Sequence, residues 1–127
     1  MNVTNKTFLE PEKNSELLKK EYEESVTRVK SFPSEIILAT TTRCNMNPPC
    51  VMCDRNIRPI SSERDCPKKI ISSLKPALSR AETLYLHCSG EPLVYQNLRE
   101  LLRMINPPTK IRFNTNGLLL EEDLIKE

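Results

Sequence analysis

The residues best suited to chemistry are three cysteines that lie close together in the first half of the chain. Cys44, Cys50 and Cys53 follow a C-x5-C-x2-C spacing in a polar segment that contains Pro48 and Pro49. Thiolates are soft ligands, and three of them from one loop can bind a zinc ion or an iron–sulfur cluster. In a four-iron cluster held this way, one iron lacks a protein thiolate and is open to a small molecule. The spacing therefore predicts a metal centre.

The cysteine spacing alone leaves the identity of that centre open. A structural zinc site normally takes four nitrogen or sulfur ligands, and Cys66, His87 or Cys88 would supply the fourth. A redox dithiol at Cys50 and Cys53 fits less well, because a catalytic CxxC lies where a strand meets a helix rather than deep in a loop. Separate burial of the three loop cysteines fits poorly too, because this polar, proline-rich loop cannot all be core. Zinc and iron–sulfur are supported equally at this point.

Composition excludes several classes of function. The chain has 127 residues, of which 38% are hydrophobic and 28% charged, as is typical of a globular domain. Its net charge of +2, its interleaved charges and its lack of tryptophan argue against nucleic-acid binding. No signal peptide is recognisable, and apolar runs such as 118–120 are too short to cross a bilayer. We therefore expect a cytoplasmic protein without a membrane partner, in which five cysteines indicate metal binding or catalysis rather than disulfides.

The elements that must position the cysteines begin with a helix and a strand. Asn14 is the predicted N-cap of an amphipathic helix that extends to about Val29, with Tyr22 on its apolar face. Residues 35–40 form an apolar run rich in β-branched side chains, which predicts a strand. The run does not alternate, so we expect this strand to be covered on both faces.

The rest of the chain repeats a strand–helix pattern. Asp65 is the predicted cap of a helix that has Pro67 in its first turn, and Pro76 should kink or restart it. Further strands are predicted at 83–87 and 110–114, and further helices at 97–105, ended by Pro107-Pro108, and from 119 to 127.

This alternation predicts an α/β fold with a parallel sheet. Right-handed crossovers place the segments that follow the strands at one edge of the sheet, where α/β folds bind their ligands. We therefore expect three segments to converge there: the cysteine loop, Ser89-Gly90-Glu91 and Thr115-Asn116-Gly117.

Taken together, these three segments resemble the radical S-adenosylmethionine (SAM) superfamily. The family has a CxxxCxxC loop after its first strand, and this loop is two residues longer, at Pro48-Pro49. A Gly-Gly-Glu-Pro-like motif follows the family's second strand and is matched by Ser89-Gly90-Glu91-Pro92, with serine for the first glycine. A Thr-Asn-Gly turn follows its third strand and is matched by Thr115-Asn116-Gly117. The order of the motifs, more than any one of them, carries the resemblance.

The resemblance implies an enzyme with two cofactors. A 4Fe–4S cluster on Cys44, Cys50 and Cys53 would bind SAM at its open iron and cleave it reductively to a 5′-deoxyadenosyl radical, which takes hydrogen from a substrate. An electron donor such as ferredoxin or flavodoxin is implied, and the substrate is unknown. The remaining cofactor-binding residues that the resemblance implies are Glu91 for the SAM ammonium, Gly90 for close approach of its methionine moiety, Ser89 beside them and Met52 against the adenine.

The resemblance covers residues 35–127, and residues 1–34 form an extension with the amphipathic helix. We expect the fold to be a partial TIM-like (βα) barrel with about three βα units, which is fewer than an α/β barrel needs. The chain is therefore expected to be the N-terminal part of a core domain and inactive alone. The alternative is a non-catalytic zinc- or iron-binding module.

Overall fold

The computed structural model describes residues 11–58, 60–87, 89–105 and 108–126. Its elements, in chain order, are α1 Pro11–Glu23, β1 Glu35–Ile37, α2 Asp54–Ile57, α3 Lys68–Leu78, β2 Thr83–Leu86, a 3-10 turn Pro92–Val94, α4 Leu98–Leu102, β3 Lys110–Phe113 and α5 Glu122–Ile125. The expectations for residues 1–10, for Cys88, for Pro107 as a helix stop and for Glu127 lie outside the described residues.

The three strands form a parallel sheet in the order β1-β2-β3. Ile36 pairs with Leu84, and Leu84 pairs with Ile111, so this row of the sheet contains one residue from every strand. The predicted α/β class and parallel sheet are confirmed. The described strands make an open sheet and not a closed barrel, so the barrel itself stays a prediction.

The hydrophobic core lies on one face of this sheet. Leu84 and Leu86 of the central strand are fully buried, and α3 and α4 cover them. The helices contribute Ile71, Leu78 and Leu101, which are almost completely buried. Each such side chain stabilises the fold by about 2 kcal/mol through removal of apolar surface from water. This face therefore fixes β2, and with it the point at which the segment after β2 leaves the sheet.

The described residues leave the opposite face of the sheet largely open, which corrects the expectation for the first strand. Ile37 is 67% exposed, whereas Leu38 next to it is buried in the core. Lys110 and Arg112 of β3, which pair with Thr83 and Tyr85 on this face, are exposed as well. Among the described residues, the helices that contribute to the core lie on the face of Leu84 and Leu86, so the apolar run at 35–40 reflects a strand with one covered side.

The N-terminal helix differs from its prediction at both ends. Within the described residues it extends from Pro11 to Glu23, so it already includes residues before Asn14. Asn14 does not cap it, because this residue is fully buried inside the helix. Its side-chain amide donates to the Phe32 carbonyl at 2.9 Å and accepts from the Phe32 amide at 2.8 Å. Tyr22, expected on the apolar face, is 85% exposed. The connection to β1 therefore folds back and is held by a buried polar group rather than by an apolar stripe.

The third helix also corrects the predicted cap at Asp65 and the predicted restart at Pro76. Its N-cap is Pro67, and Asp65 binds to other residues described below. The helix continues through Pro76 to Leu78 without a restart, at the cost of the one hydrogen bond that proline cannot donate.

Across the described ranges, every helix is too short or too polar to span a membrane.

Candidate functional site

The cysteine loop leaves the carboxyl end of β1 and is closed at its base. Thr41 and Asp65 form an antiparallel bridge. The Thr42 amide donates to the Arg64 carbonyl at 2.9 Å, and the Cys66 amide donates to the Thr40 carbonyl at 2.7 Å. Residues 41–65 therefore form a loop whose two ends are hydrogen-bonded to each other, with the three cysteines inside it.

A paired arginine and aspartate stabilise this base. Arg43 binds Asp65 through two hydrogen bonds, Nε to Oδ1 at 2.9 Å and Nη2 to Oδ2 at 2.6 Å. The Thr41 hydroxyl donates to the same carboxylate at 2.6 Å, and Arg43 Nη2 also donates to the Val94 carbonyl at 3.1 Å. The hydrogen bonds from Arg43 lower the pKa of Asp65 and raise the pKa of Arg43 itself. Bidentate arginine–carboxylate pairs are among the stronger ion pairs in proteins, and they also fix the relative orientation of the two side chains.

A second arginine connects the far arm of the loop, the part that carries Cys50 and Cys53, to the base of the loop. Arg55 lies in α2, and its guanidinium donates to the Thr42 carbonyl and, at 2.6 Å, to Glu63 Oε1. The sequence patterns did not predict α2, because its four residues carry no apolar periodicity. Its first turn follows Cys53, which occupies the N-cap position.

The three cysteines differ in their surroundings. Cys44 and Cys53 are half-buried and Cys50 is exposed, and all three thiols are free. The Cys50 carbonyl accepts from the Cys53 amide at 2.9 Å and from Asn56 Nδ2 at 2.7 Å. In the part of the chain that the structure describes, no three cysteine, histidine, aspartate or glutamate side chains are grouped closely enough to hold a metal ion.

The donor set nevertheless fits a thiolate-bound cluster in its chemistry, because three free thiols occupy one loop at the carboxyl end of the sheet, where α/β folds bind their ligands. Binding a cluster requires these thiols to approach one another. Cys66, the candidate fourth zinc ligand, packs against the hydrophobic core, and burial raises the pKa of its thiol. A raised pKa disfavours the thiolate that a metal needs, so Cys66 fits a core residue better than a ligand.

The segment after β2 is joined to the segment after β3 through a buried carboxylate. Glu91 is only 3% exposed. Its side chain accepts hydrogen bonds from Thr115 Oγ1 at 2.6 Å, from the Asn116 amide at 2.8 Å and from the Leu93 amide at 3.1 Å. The Glu91 amide in turn donates to the Arg43 carbonyl at 2.7 Å, at the start of the cysteine loop. The carboxylate is therefore a connection between motifs as much as a candidate ligand for SAM.

Gly90 allows this connection because its backbone lies against the cysteine loop. A Cβ at this position would be 2.3 Å from the Thr41 carbonyl oxygen and 2.6 Å from the Arg43 carbonyl oxygen. The missing side chain was instead expected to allow close approach of a bound ligand. In the folded chain the space at Gly90 is used by the protein's own backbone.

The Thr115-Asn116-Gly117 segment also contacts the cysteine loop directly. Asn116 donates from Nδ2 to Asn45 Oδ1 at 2.8 Å, and its own Oδ1 accepts from the Leu118 amide at 3.0 Å. Gly117 has a φ of 75°, which glycine adopts without strain. The predicted convergence of the three segments is therefore observed through backbone and side-chain contacts. Asn45 and Asp65 were not recognised as contact residues, although both lie within or beside the cysteine loop.

Two of the other candidate residues lie at the surface. Met52 is 94% exposed at the tip of the cysteine loop, beside Val51, which is 99% exposed. Ser89 is also exposed, at the start of the turn that leads to Gly90. These side chains are accessible to a ligand, and the described residues give them no structural role in the core.

Comparison with known proteins gives a structural relationship and no sequence match. No family model matches the chain, and no curated protein matches it. Among solved structures, BtrN in complex with AdoMet and 2-DOIA has a TM-score of 0.58 and 22% identity, covering 76% of this chain and 41% of that one. Selenomethionine-labelled BtrN in an open conformation has a TM-score of 0.56 and 20% identity, covering 77% of this chain and 45% of that one.

This relationship shows a common fold. At 20–22% identity, the likeness is one of fold. The chain spans less than half the length of the BtrN structures that it matches. The shared part is an α/β fold with a small parallel sheet.

Proposed function

We propose that this chain is part of a radical SAM enzyme that holds a 4Fe–4S cluster on Cys44, Cys50 and Cys53 and binds SAM beside it. The observation that carries the proposal is the meeting of the three motif segments at one edge of the sheet, joined by the buried Glu91 carboxylate. If the three motif matches were coincidental, there would be no reason for their segments to contact one another in the folded chain. The fold shared with BtrN, crystallised with AdoMet, supports the same assignment.

The chain's own residues would supply the thiolates and the surroundings of the cofactors. When bound, the cluster supplies the electron for reductive cleavage of SAM, and the resulting radical abstracts hydrogen from a substrate that is not identified. Cys44 is presented from the base of the loop, and Cys50 and Cys53 from its outer arm. Ferredoxin or flavodoxin is the proposed class of electron donor.

The geometry of Glu91 refines its proposed part in SAM binding. A carboxylate offers about four acceptor positions, and three hydrogen bonds already end on this one. We infer that Glu91 acts on SAM mainly by holding Gly90 and the neighbouring backbone in place. Ser89, which is exposed on the same turn, is the side chain there that is open to the cofactor.

Met52 is proposed to pack against the adenine ring of SAM. Its thioether is flexible and polarisable, and such side chains make favourable contacts with aromatic rings. At the tip of the loop, Met52 has no packing partner that would have to be displaced.

Residues 35–127 are proposed to form the first part of the core domain, with residues 1–34 as an extension.

Anaerobic reconstitution with iron and sulfide tests the proposal. We expect about four irons and four sulfides per chain, with the broad visible absorption of thiolate-to-iron charge transfer. Cys50→Ala should lose the cluster, and Cys66→Ala, the matched control, should keep it because Cys66 packs against the core. A colourless protein that retains one zinc ion would support a non-catalytic zinc module instead. Equal iron content in the two variants would remove Cys50 from the ligand set.

A further inference from the structure

Cys44 lies between two residues that are each bound to a distant part of the fold. On its amino side, Arg43 is held by both oxygens of Asp65, with Nε–Oδ1 at 2.9 Å and Nη2–Oδ2 at 2.6 Å. On its carboxyl side, Asn45 accepts a hydrogen bond from Asn116 at 2.8 Å, across 71 positions of sequence. The backbone of the same stretch is held again where Glu91 donates to the Arg43 carbonyl. The position of Cys44 is therefore set by three separate elements.

The other two cysteines are held differently. The hydrogen bonds at Cys50 are local, from the Cys53 amide and from Asn56. The arm that carries Cys50 and Cys53 is connected to the base of the loop through Arg55, which donates to the Thr42 carbonyl and to Glu63. Glu63 lies on the loop itself. In the described residues, the hydrogen bonds of the arm that carries Cys50 and Cys53 thus stay within the loop. The residues beside Cys44 bind the base of the loop at Asp65 and also the segments after β2 and β3, at Glu91 and Asn116.

We propose that Arg43, Asp65, Asn45 and Asn116 are positioning residues that hold Cys44 as the preset ligand, and that the arm carrying Cys50 and Cys53 closes onto it when a cluster binds. This inference rests on the proposed function for the identity of the cluster. Two observations lead to it. The three thiols are not grouped in the described structure, and among the described hydrogen bonds only Cys44 has both neighbours bound to segments outside the loop, Arg43 to Glu91 and Val94 and Asn45 to Asn116. We call the Arg43–Asp65 and Asn45–Asn116 contacts the Cys44 clamp.

The two halves of the clamp differ in strength. The Arg43–Asp65 pair is bidentate and charged, with side chains that are 30% and 23% exposed. The Asn45–Asn116 bond is a single neutral contact at an exposed site. Charge-assisted hydrogen bonds are about twice as strong as neutral ones, so Asp65 is expected to matter more than Asn116.

The first experiment needs no cluster. The metal-free chain is treated with iodoacetamide, and the alkylation rate of each cysteine is followed by peptide mass spectrometry. In the wild-type chain Cys44 should react more slowly than Cys50. In Asp65→Asn the rate at Cys44 should rise roughly tenfold, since losing a hydrogen bond to a charged group shifts local opening by about that factor. The rate at Cys50 should change little.

Two controls separate positioning from other effects. Asn116→Ala changes no charge, so a faster reaction at Cys44 in this variant cannot come from an altered electrostatic field at the thiol. Asn114→Ala and Asp123→Asn remove exposed side chains of the same types and should leave all rates unchanged. Equal rates at Cys44 in the wild-type chain, Asp65→Asn and Asn116→Ala would overturn the clamp. A parallel rise at all three cysteines would overturn it too, because that pattern indicates general loosening of the loop.

The second experiment uses anaerobic reconstitution at matched folded fraction, checked by circular dichroism. We expect Asp65→Asn to bind iron more slowly and to lower occupancy than Asp123→Asn, and Arg43→Lys to fall between them because lysine keeps the charge without the fork. Identical loading in all variants would overturn the positioning role. If the wild-type chain itself binds no cluster, the proposed function fails, and the alkylation rates still decide whether Cys44 is clamped.

Discussion

The chain has two glycines, and the structure assigns them opposite tolerances for a methyl group. Gly90 lies against the cysteine loop, where a Cβ would be 2.3 Å from the Thr41 carbonyl oxygen. Gly117 has nothing within 4 Å of its would-be Cβ, but its φ of +75° is left-handed. Alanine at the two positions therefore separates steric conflict at the motif contact from backbone strain in an open turn.

The magnitudes follow from these two geometries. At Gly90 the carbonyl must retreat by about 1 Å to reach ordinary contact distance, in a backbone held by the base of the loop. Overpacking of this kind costs about 3 kcal/mol. At Gly117 the left-handed conformation costs alanine about 1 kcal/mol and no contact is violated. On a chain of this size the melting temperature should fall by roughly 10 °C for Gly90→Ala and by about 4 °C for Gly117→Ala.

Thermal unfolding followed by circular dichroism measures both variants, with urea unfolding as a second determination of the free energy of unfolding. Anaerobic iron binding is then compared at a temperature at which both variants are folded. Gly90→Ala should also bind less iron, because the displaced Thr41–Arg43 segment leads directly into Cys44. The reasoning is refuted if Gly117→Ala is as destabilising as Gly90→Ala, or if Gly90→Ala is neutral.

Three further predictions concern the polar connections and the core. Glu91→Gln should destabilise the chain by about 2 kcal/mol, because an amide in place of the buried carboxylate removes an acceptor and leaves a partly buried donor unpaired. Amide exchange at 115–116 should accelerate, and unchanged exchange would contradict this. The main cause that lowers the pKa of Glu21 is the hydrogen bond from the Ser31 hydroxyl. The ionised Glu21 therefore stabilises the fold above about pH 4.5, its ordinary pKa, and this stabilisation is lost as the pH falls through the lower pKa of the folded chain. Melting temperatures from pH 7 to pH 3 should fall more steeply for the wild-type chain than for Glu21→Gln, and parallel curves would refute that assignment. Leu84→Ala should cost about 3 kcal/mol in urea unfolding, because Leu84 is fully buried in the central strand, and a cost below about 1 kcal/mol would contradict the described core.

Much of the architecture was accessible from the sequence because apolar runs and βα alternation are local signals. The strands were predicted within one to three residues of their observed bounds, and the parallel order followed from alternation. The convergence of the cysteine loop, Glu91 and Thr115-Asn116-Gly117 followed from the same topology. It did not require knowledge of any side-chain contact.

The predictions that were wrong concern polar residues with distant partners. Asn14 and Asp65 both have the composition of helix caps, and each instead binds a residue far along the chain, Phe32 and Arg43 respectively. Side-chain capping propensity is a local property, whereas burial of a carboxylate or amide beside a remote backbone is set by tertiary structure. Ile37 was expected to be covered because one strand's composition does not reveal how many layers pack against its sheet.

The central claim is that three thiolates hold a cluster with one iron open to SAM. The most direct measurement is the electron paramagnetic resonance spectrum of the anaerobically reconstituted, dithionite-reduced chain, recorded with and without SAM. We predict a 4Fe–4S signal that changes when SAM is added, and that is absent in Cys44→Ala. A chain that shows no cluster signal after reconstitution, or a cluster signal that SAM leaves unchanged, would contradict the account.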